Sequence, residues 1–276
     1  MTYKRILTIQ DISCVGQCSL TVALPILSAC GLETAILPSA VLSTHTAGFT
    51  GFTVRDLAGD MPAIRDHWIK EGLKFSAVYT GYLGSTEQID IVLSIMDSCG
   101  EEKCLRIVDP AMADNGKLYP AFDESYVDAM KRLCAASDYV VPNITEACFL
   151  TGIQYRETYD RAYIDSLLEG LTALGCRNVV LTGISYREGY TGIVVLEKGV
   201  YNYYEHAKLP NSCHGTGDIY CSAFVGALMQ NKTAFEAAAI AGDYTVECIR
   251  ETAKLENHWY GAAFELALGK LIEAIQ

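Results

Sequence analysis

The chain has 276 residues, half of them hydrophobic, and 21 Lys and Arg against 33 Asp and Glu give a net charge of −12. That length suits one large α/β domain over 1–276 with a sizeable core. The acidic balance argues against sequence-independent nucleic-acid binding, which sets cations against phosphates, and no basic run offers itself to an anionic membrane.

In chain order, Tyr3 to Gln10 reads as a short buried strand, and Gly16 to Ala29 as a helix stopped by Gly31. Glu33 to Pro38 is a second strand. Ser43 to Thr53, rich in Thr and Gly, reads as a loop or edge, and Val54 to Gly72 as a helix. Phe75 to Tyr79 is a strand running into Thr80-Gly81-Tyr82. Ser85 to Ser98 is a helix, with Ser85 and Gln88 as a capping box.

The alternation then repeats. Leu105 to Val108 is a strand ending at Asp109-Pro110, Asp123 to Ala136 a helix, and Tyr139 to Val141 a strand ending at Pro142-Asn143. Helices start at Thr145 and Asp160, and Asn178 to Thr182 is strand-like. Thr191 to Leu196 and Val200 to Lys208 pair as a hairpin around Glu197-Lys198-Gly199. Three helices close the chain: Asp218–Gln230, Ala234–Arg250 and Ala262–Ile275. Strands alternating with helices predict a mostly parallel sheet covered on both faces, a three-layer α/β/α fold. Ligands of such sheets bind at the carboxyl ends of the strands, where Asp11, Tyr82, Asp109, Asn143 and Thr182 all fall.

Eleven cysteines include no Cys-x-x-Cys pair, so neither a common zinc arrangement nor a disulfide framework is expected. They read as small buried hydrophobes of a reduced, cytoplasmic protein. Met1 to Arg5 leads straight into the first strand without a signal-peptide pattern, and no apolar stretch reaches the length of a membrane span.

The most informative stretch is Cys213-His214-Gly215-Thr216-Gly217-Asp218, just before an apolar helical run. Glycines let a backbone approach a ligand closely, and the free N–H groups of a helix start favour an anion. A carboxylate inside an anion-binding turn would repel a phosphate. It makes sense as a base beside a site of phosphoryl transfer; a glycine turn capped by Asp218 is the plainer alternative.

The residues Leu7 to Asp11, Val15-Gly16, Ser39 to Thr46, Thr80-Gly81-Tyr82, Asp109-Pro110, Pro142-Asn143 with Glu146, and Gly215 to Asp218 occur in one order along the chain. Together they resemble the pyridoxal kinases, vitamin B6 salvage enzymes of the ribokinase-like superfamily. The resemblance implies a ribokinase-like fold and ATP-dependent phosphorylation of a vitamer hydroxymethyl group. Asp218 is then the base and Gly215, Thr216 and Gly217 the anion hole. Asp109, Asn143 and Glu146 would arrange ATP phosphates and Mg²⁺, with Asp109 and Glu146 as hard oxygen ligands, Glu146 acting through water. Asp114 lies on a loop that could close over the phosphates. Thr182 matches a nucleotide-contacting position and reads equally as a strand-end residue. Thr46 and Tyr82 match ring-contacting positions, Tyr82 reading equally as packing, and His45 stays in play as their neighbour. The family also implies a homodimer.

Two departures bear on the substrate. Asp11 stands where many pyridoxal kinases carry a serine, and a carboxylate there prefers a cationic partner such as an amine. His214 before Gly-Thr-Gly resembles the hydroxymethylpyrimidine (phosphate) kinases, whose glycine-rich opening is replaced here by Ser13 to Gln17. These kinases rank second, ahead of a sugar kinase and a non-catalytic vitamer- or nucleotide-binding module. Cys213 has two readings. A helix start and a neighbouring histidine can lower a thiol pKa, so the thiolate could add reversibly to the aldehyde of pyridoxal; the alternative is a small residue packed at a tight turn.

Overall fold

The computed structural model describes residues 3–210 and 213–276. Its strands are β1 (Arg5–Ser13), β2 (Glu33–Leu42), β3 (Val54–Asp56), β4 (Phe75–Thr80), β5 (Gly100–Val108), β6 (Ala113–Asp114), β7 (Lys117–Leu118), β8 (Tyr139–Val140), β9 (Asn178–Ile184), β10 (Tyr190–Glu197) and β11 (Val200–Ala207). The helices are α1 (Leu20–Ala29), α2 (Met61–Lys70), α3 (Thr86–Cys99), α4 (Glu124–Ala135), α5 (Ile144–Thr151), α6 (Arg161–Leu174), α7 (Thr216–Met229), α8 (Ala234–Thr252) and α9 (Leu268–Ile275).

Nine strands form one sheet in the order β11-β10-β9-β8-β5-β4-β1-β2-β3. The six central strands run parallel, and β3, β10 and β11 join antiparallel at the two edges. Alternate residues of each strand face opposite cores, as the two-residue period of a strand requires. Leu7, Ile9, Val78, Val108, Val179 and Leu181 pack under α2 to α6. Ile6, Ala77, Tyr79, Ile107 and Val180 pack under α1, α7, α8 and α9. Burial on both faces explains why these strands read as short continuous apolar runs. No helix among the described residues is long and apolar enough to cross a membrane.

Val54 to Asp56, predicted as the start of a helix, is an edge strand paired with Ala40 to Leu42, and the helix begins at Met61. Ser85 caps α3 through the N–H of Gln88, yet the Gln88 side chain does not return to Ser85. It accepts from Gly84 N at 2.7 Å and donates to Ser39 O at 3.0 Å, tying α3 to β2. β5 starts at Gly100 rather than Leu105, and β1 runs on to Ser13. Where β1 meets β2 the register shifts beyond Gln10, so β2 carries one extra residue opposite Asp11. Such bulges turn neighbouring side chains towards a site.

Candidate active site

The carboxyl ends of the parallel strands set the site residues in a row that follows the sheet order: Thr182 on β9, Asn143 after β8, Asp109 after β5, Tyr82 after β4, Asp11 on β1, and His45 and Thr46 after β2. The start of α7 faces this row, its Asp218 lying near enough to Asp109 and to Asp11 to share their electrostatics.

The turn before α7 can be built only with glycine. Gly215 caps the helix at φ 78°, and a Cβ there would lie 1.9 Å from the Gln17 carbonyl oxygen. A Cβ on Gly217 would meet nothing within 4 Å, so the surface above that residue is open to a ligand. First-turn N–H groups have no partner within a helix, and Thr216 turns its hydroxyl back to the Cys213 carbonyl at 3.4 Å. Asp218 stands in this first turn. Burial pushes its carboxyl up to about 7; the Ser19 backbone N–H opposes the rise and the charge of Asp11 adds to it.

On the β5–β8 side, Asp109 is buried, and burial and the neighbouring Asp218 push its carboxyl well up. Among the described residues no side chain or N–H donates to it. Glu146 is buried too and raised by burial and by Asp109. Its two oxygens are both engaged: Asn143 N donates to one at 2.9 Å and Met112 N to the other at 3.2 Å. Asn143 in turn accepts from Glu146 N and donates to Ala113 O. The two residues thus form a capping box at the start of α5, which holds the Asn143 side chain at the edge of the adjoining cavity.

Beyond them opens a cavity of about 540 Å³ lined by Asp114, Asn143, Thr182, Tyr155, Tyr159, Tyr186, Arg187 and Lys208 among others. Asp114 lies in the small β6–β7 hairpin, whose turn residues Asn115 and Gly116 both have positive φ. The Thr182 hydroxyl bonds back to Pro142 O at 3.3 Å. The tyrosines and the two cations were not among the predicted residues. A signal existed: eight of the chain's 17 tyrosines fall between 155 and 204.

On the β1–β2 side, Asp11 is buried and accepts from the Ser13 hydroxyl at 3.1 Å. Burial pushes its carboxyl up, against the hydroxyls of Ser19 and Ser13. Tyr82 is half-buried with its ring 5.4 Å from Phe122, and Thr46 is exposed. His45 is buried, with Nε2 2.6 Å from Tyr260 O and Nδ1 accepting from Ala47 N at 3.1 Å. Both ring nitrogens are therefore committed to the backbone, which leaves neither for a substrate. The Cys213 expectation is corrected in one respect: burial pushes its thiol up, the reverse of the lowering expected at a helix start. The His214 imidazole is itself shifted down by burial, so it supplies no cation to offset this.

A covered parallel sheet with a carboxylate in the first turn of a glycine-led helix, facing a row of acidic and polar strand ends, defines a small-molecule kinase of the ribokinase-like superfamily. The chain belongs to the phosphomethylpyrimidine kinase family, whose sequence model matches residues 28–262. It is 33% identical to a Bacteroides thetaiotaomicron protein described as of phosphomethylpyrimidine kinase type and crystallised with pyridoxal; the match covers 98% of this chain and 96% of that one, with a TM-score of 0.91. It is 32% identical to the pyridoxal kinase of Lactobacillus plantarum over 99% of this chain and 97% of that one, with a TM-score of 0.90. A pyridoxal kinase of Dictyostelium discoideum is 27% identical over 80% of this chain and 77% of its own length.

Proposed function

We propose that the protein transfers the γ-phosphoryl group of ATP to the 5′-hydroxymethyl group of a vitamin B6 vitamer. The observation that carries this reading is Asp218, an acid raised to about 7 in the first turn of α7, beside N–H groups that have no partner within the helix. In this reading its carboxylate accepts the proton of the hydroxymethyl group as that oxygen attacks the γ-phosphorus and the bond to ADP breaks. The N–H groups around Gly215, Thr216 and Gly217 face the charge that spreads over the phosphoryl oxygens. A base with a pKa near the working pH is well matched to this task.

The vitamer occupies the β1–β2–β4 half of the site, beside Asp11, Tyr82 and Thr46, and the nucleotide the cavity at β8 and β9. Asp109 and Glu146 fit a Mg²⁺ ion, because two mutually repelling buried carboxylates, neither paired with a cation among the described residues, suit a hard divalent ion. When bound, Mg²⁺ supplies positive charge against the phosphates. Asp109 would hold it, and Glu146, with both oxygens already on backbone N–H groups, would act through water.

His214 ahead of Gly-Thr-Gly and the family model keep hydroxymethylpyrimidine (phosphate) kinase as the second reading. An ATP-coupled assay on pyridoxal, pyridoxamine, pyridoxine and hydroxymethylpyrimidine side by side decides. Turnover of hydroxymethylpyrimidine alone overturns the vitamin B6 reading, and ligand binding without turnover points to a binding module. The homodimer that the family resemblance implies is tested by sedimentation velocity.

A further inference from the structure

Residues 257–262 lie between α8 and the last helical turns and belong to no strand or helix. They are nevertheless tied to three separate loops around the β1–β2 end of the site. The Tyr260 carbonyl meets His45 Nε2 at 2.6 Å. The His258 ring contacts Gln17 Oε1 at 3.2 Å, and Gly261 packs so closely on Gln17 that a Cβ there would lie 2.6 Å from the same oxygen. Ala262 N donates to the carbonyl of His214, in the turn before α7, at 3.2 Å. The Trp259 ring lies 4.7 Å from that of Phe49, and Phe49 stands edge-on to His45 at 5.0 Å.

His45 is the centre of this arrangement. A carbonyl only accepts, so Nε2 carries the proton; the Ala47 N–H only donates, so Nδ1 is bare. The neutral Nε2–H tautomer alone satisfies both partners. The ring also needs Gly16, at φ 104°, since a Cβ on that residue would sit 2.1 Å from His45 Cδ2.

We infer that His45 is a positioning residue that latches the 257–262 segment across the mouth of the acceptor pocket, with Trp259 on Phe49 as the pocket's outer wall. The inference rests on the placement of the vitamer in the β1–β2–β4 half. The latch acts on the heterocycle's side of the site and leaves the nucleotide cavity, on the far side of Asp109, untouched. Its loss disorders the outer wall, so acceptor binding weakens while nucleotide binding is spared.

Asparagine at position 45 separates the latch from the loop. Its short side chain can still accept from the N–H two residues on, as in an Asx turn, but cannot reach Tyr260. The chain has two tryptophans, so Trp68→Phe leaves Trp259 as the sole indole reporter. In that background, His45→Asn is expected to increase acrylamide quenching of Trp259 in the ligand-free protein. In the full chain it should raise the acceptor KM about fivefold, the worth of one net hydrogen bond, with the KM for ATP unchanged. Trp259→Ala, at a half-exposed side chain, should reproduce the acceptor-selective rise without touching His45. Unchanged quenching in His45→Asn overturns the latch, and so does an equal rise of both KM values in either variant. If no vitamer is turned over at all, the substrate reading fails while the quenching difference still reports on the latch.

Discussion

Asp11 and Asp218 flank Ser19, whose hydroxyl faces the first carboxylate and whose backbone N–H faces the second. Ser19 adopts φ 56° and ψ −131°, a conformation that a residue with a side chain seldom takes. A strained residue of this kind persists only where its surroundings hold it. Here it places one donor on each of two acids that burial pushes up, at the junction between the carboxyl end of β1 and the start of α7.

Asp218→Asn should lower turnover by roughly 10²–10⁴-fold, the span of a lost general base. In the unaltered protein kcat/KM should fall as pH drops below about 7, because the active base is the ionised form. The stability effect has the opposite sense. A carboxyl raised in the folded state binds its proton more tightly there than in the unfolded chain, so its contribution is complete below the unfolded value and shrinks as pH rises to about 7. Thermal melts should therefore show Asp218→Asn gaining on the parent at pH 8 relative to pH 4. Near-normal turnover in the variant would return Asp218 to a capping role.

Asp109→Asn and Glu146→Gln should each raise the Mg²⁺ concentration for half-maximal rate. They should differ in stability. Glu146→Gln keeps one oxygen for the N–H of Asn143, as a capping box allows, but turns its amide group towards the N–H of Met112 and leaves that donor unpaired, at a cost of roughly 1–3 kcal/mol. Asp109→Asn removes a carboxylate that burial disfavours. Magnesium titrations that match the parent in both variants would assign the two acids to structure alone.

Asp11→Ser should raise the KM for pyridoxamine by roughly tenfold or more, as expected for losing a hydrogen bond between charged groups. The KM for pyridoxal should move less. Equal losses on both vitamers would show that the Asp11 carboxylate does not read the amine.

Cys213→Ala should affect pyridoxal and pyridoxine alike. A thiol raised by burial is a poor source of thiolate at neutral pH, so addition to an aldehyde has little to start from. A loss confined to pyridoxal would revive that chemistry.

The strand ends were legible because a parallel sheet forces its apolar runs to be short and its polar residues to follow them: Asp11, Asp109, Asn143 and Thr182 needed only that rule. The helix starts at Asp123 and Asp160 were legible from local chemistry, each carboxylate accepting from the N–H three residues on. Asn143-Ile144-Thr145-Glu146 carried the same kind of signal, a capping box, which reading both residues as ligands of ATP and Mg²⁺ left unnoticed. Val54 to Asp56 was not legible, since its pairing with β2 lies across a loop and its side chains are exposed. Nor was the contact of His45 with Tyr260, 215 residues apart, because no local pattern encodes which carbonyl a buried imidazole will find.

The order of residues along the sheet edge has a kinetic consequence. On the proposed placement, acceptor and donor enter from opposite ends of the row and meet at Asp109 and Asp218, so the acceptor hydroxyl receives the phosphoryl group directly from the donor. Both substrates must then be present together, so initial-rate plots should intersect rather than run parallel. The single in-line displacement should invert the configuration of a chirally labelled phosphorus.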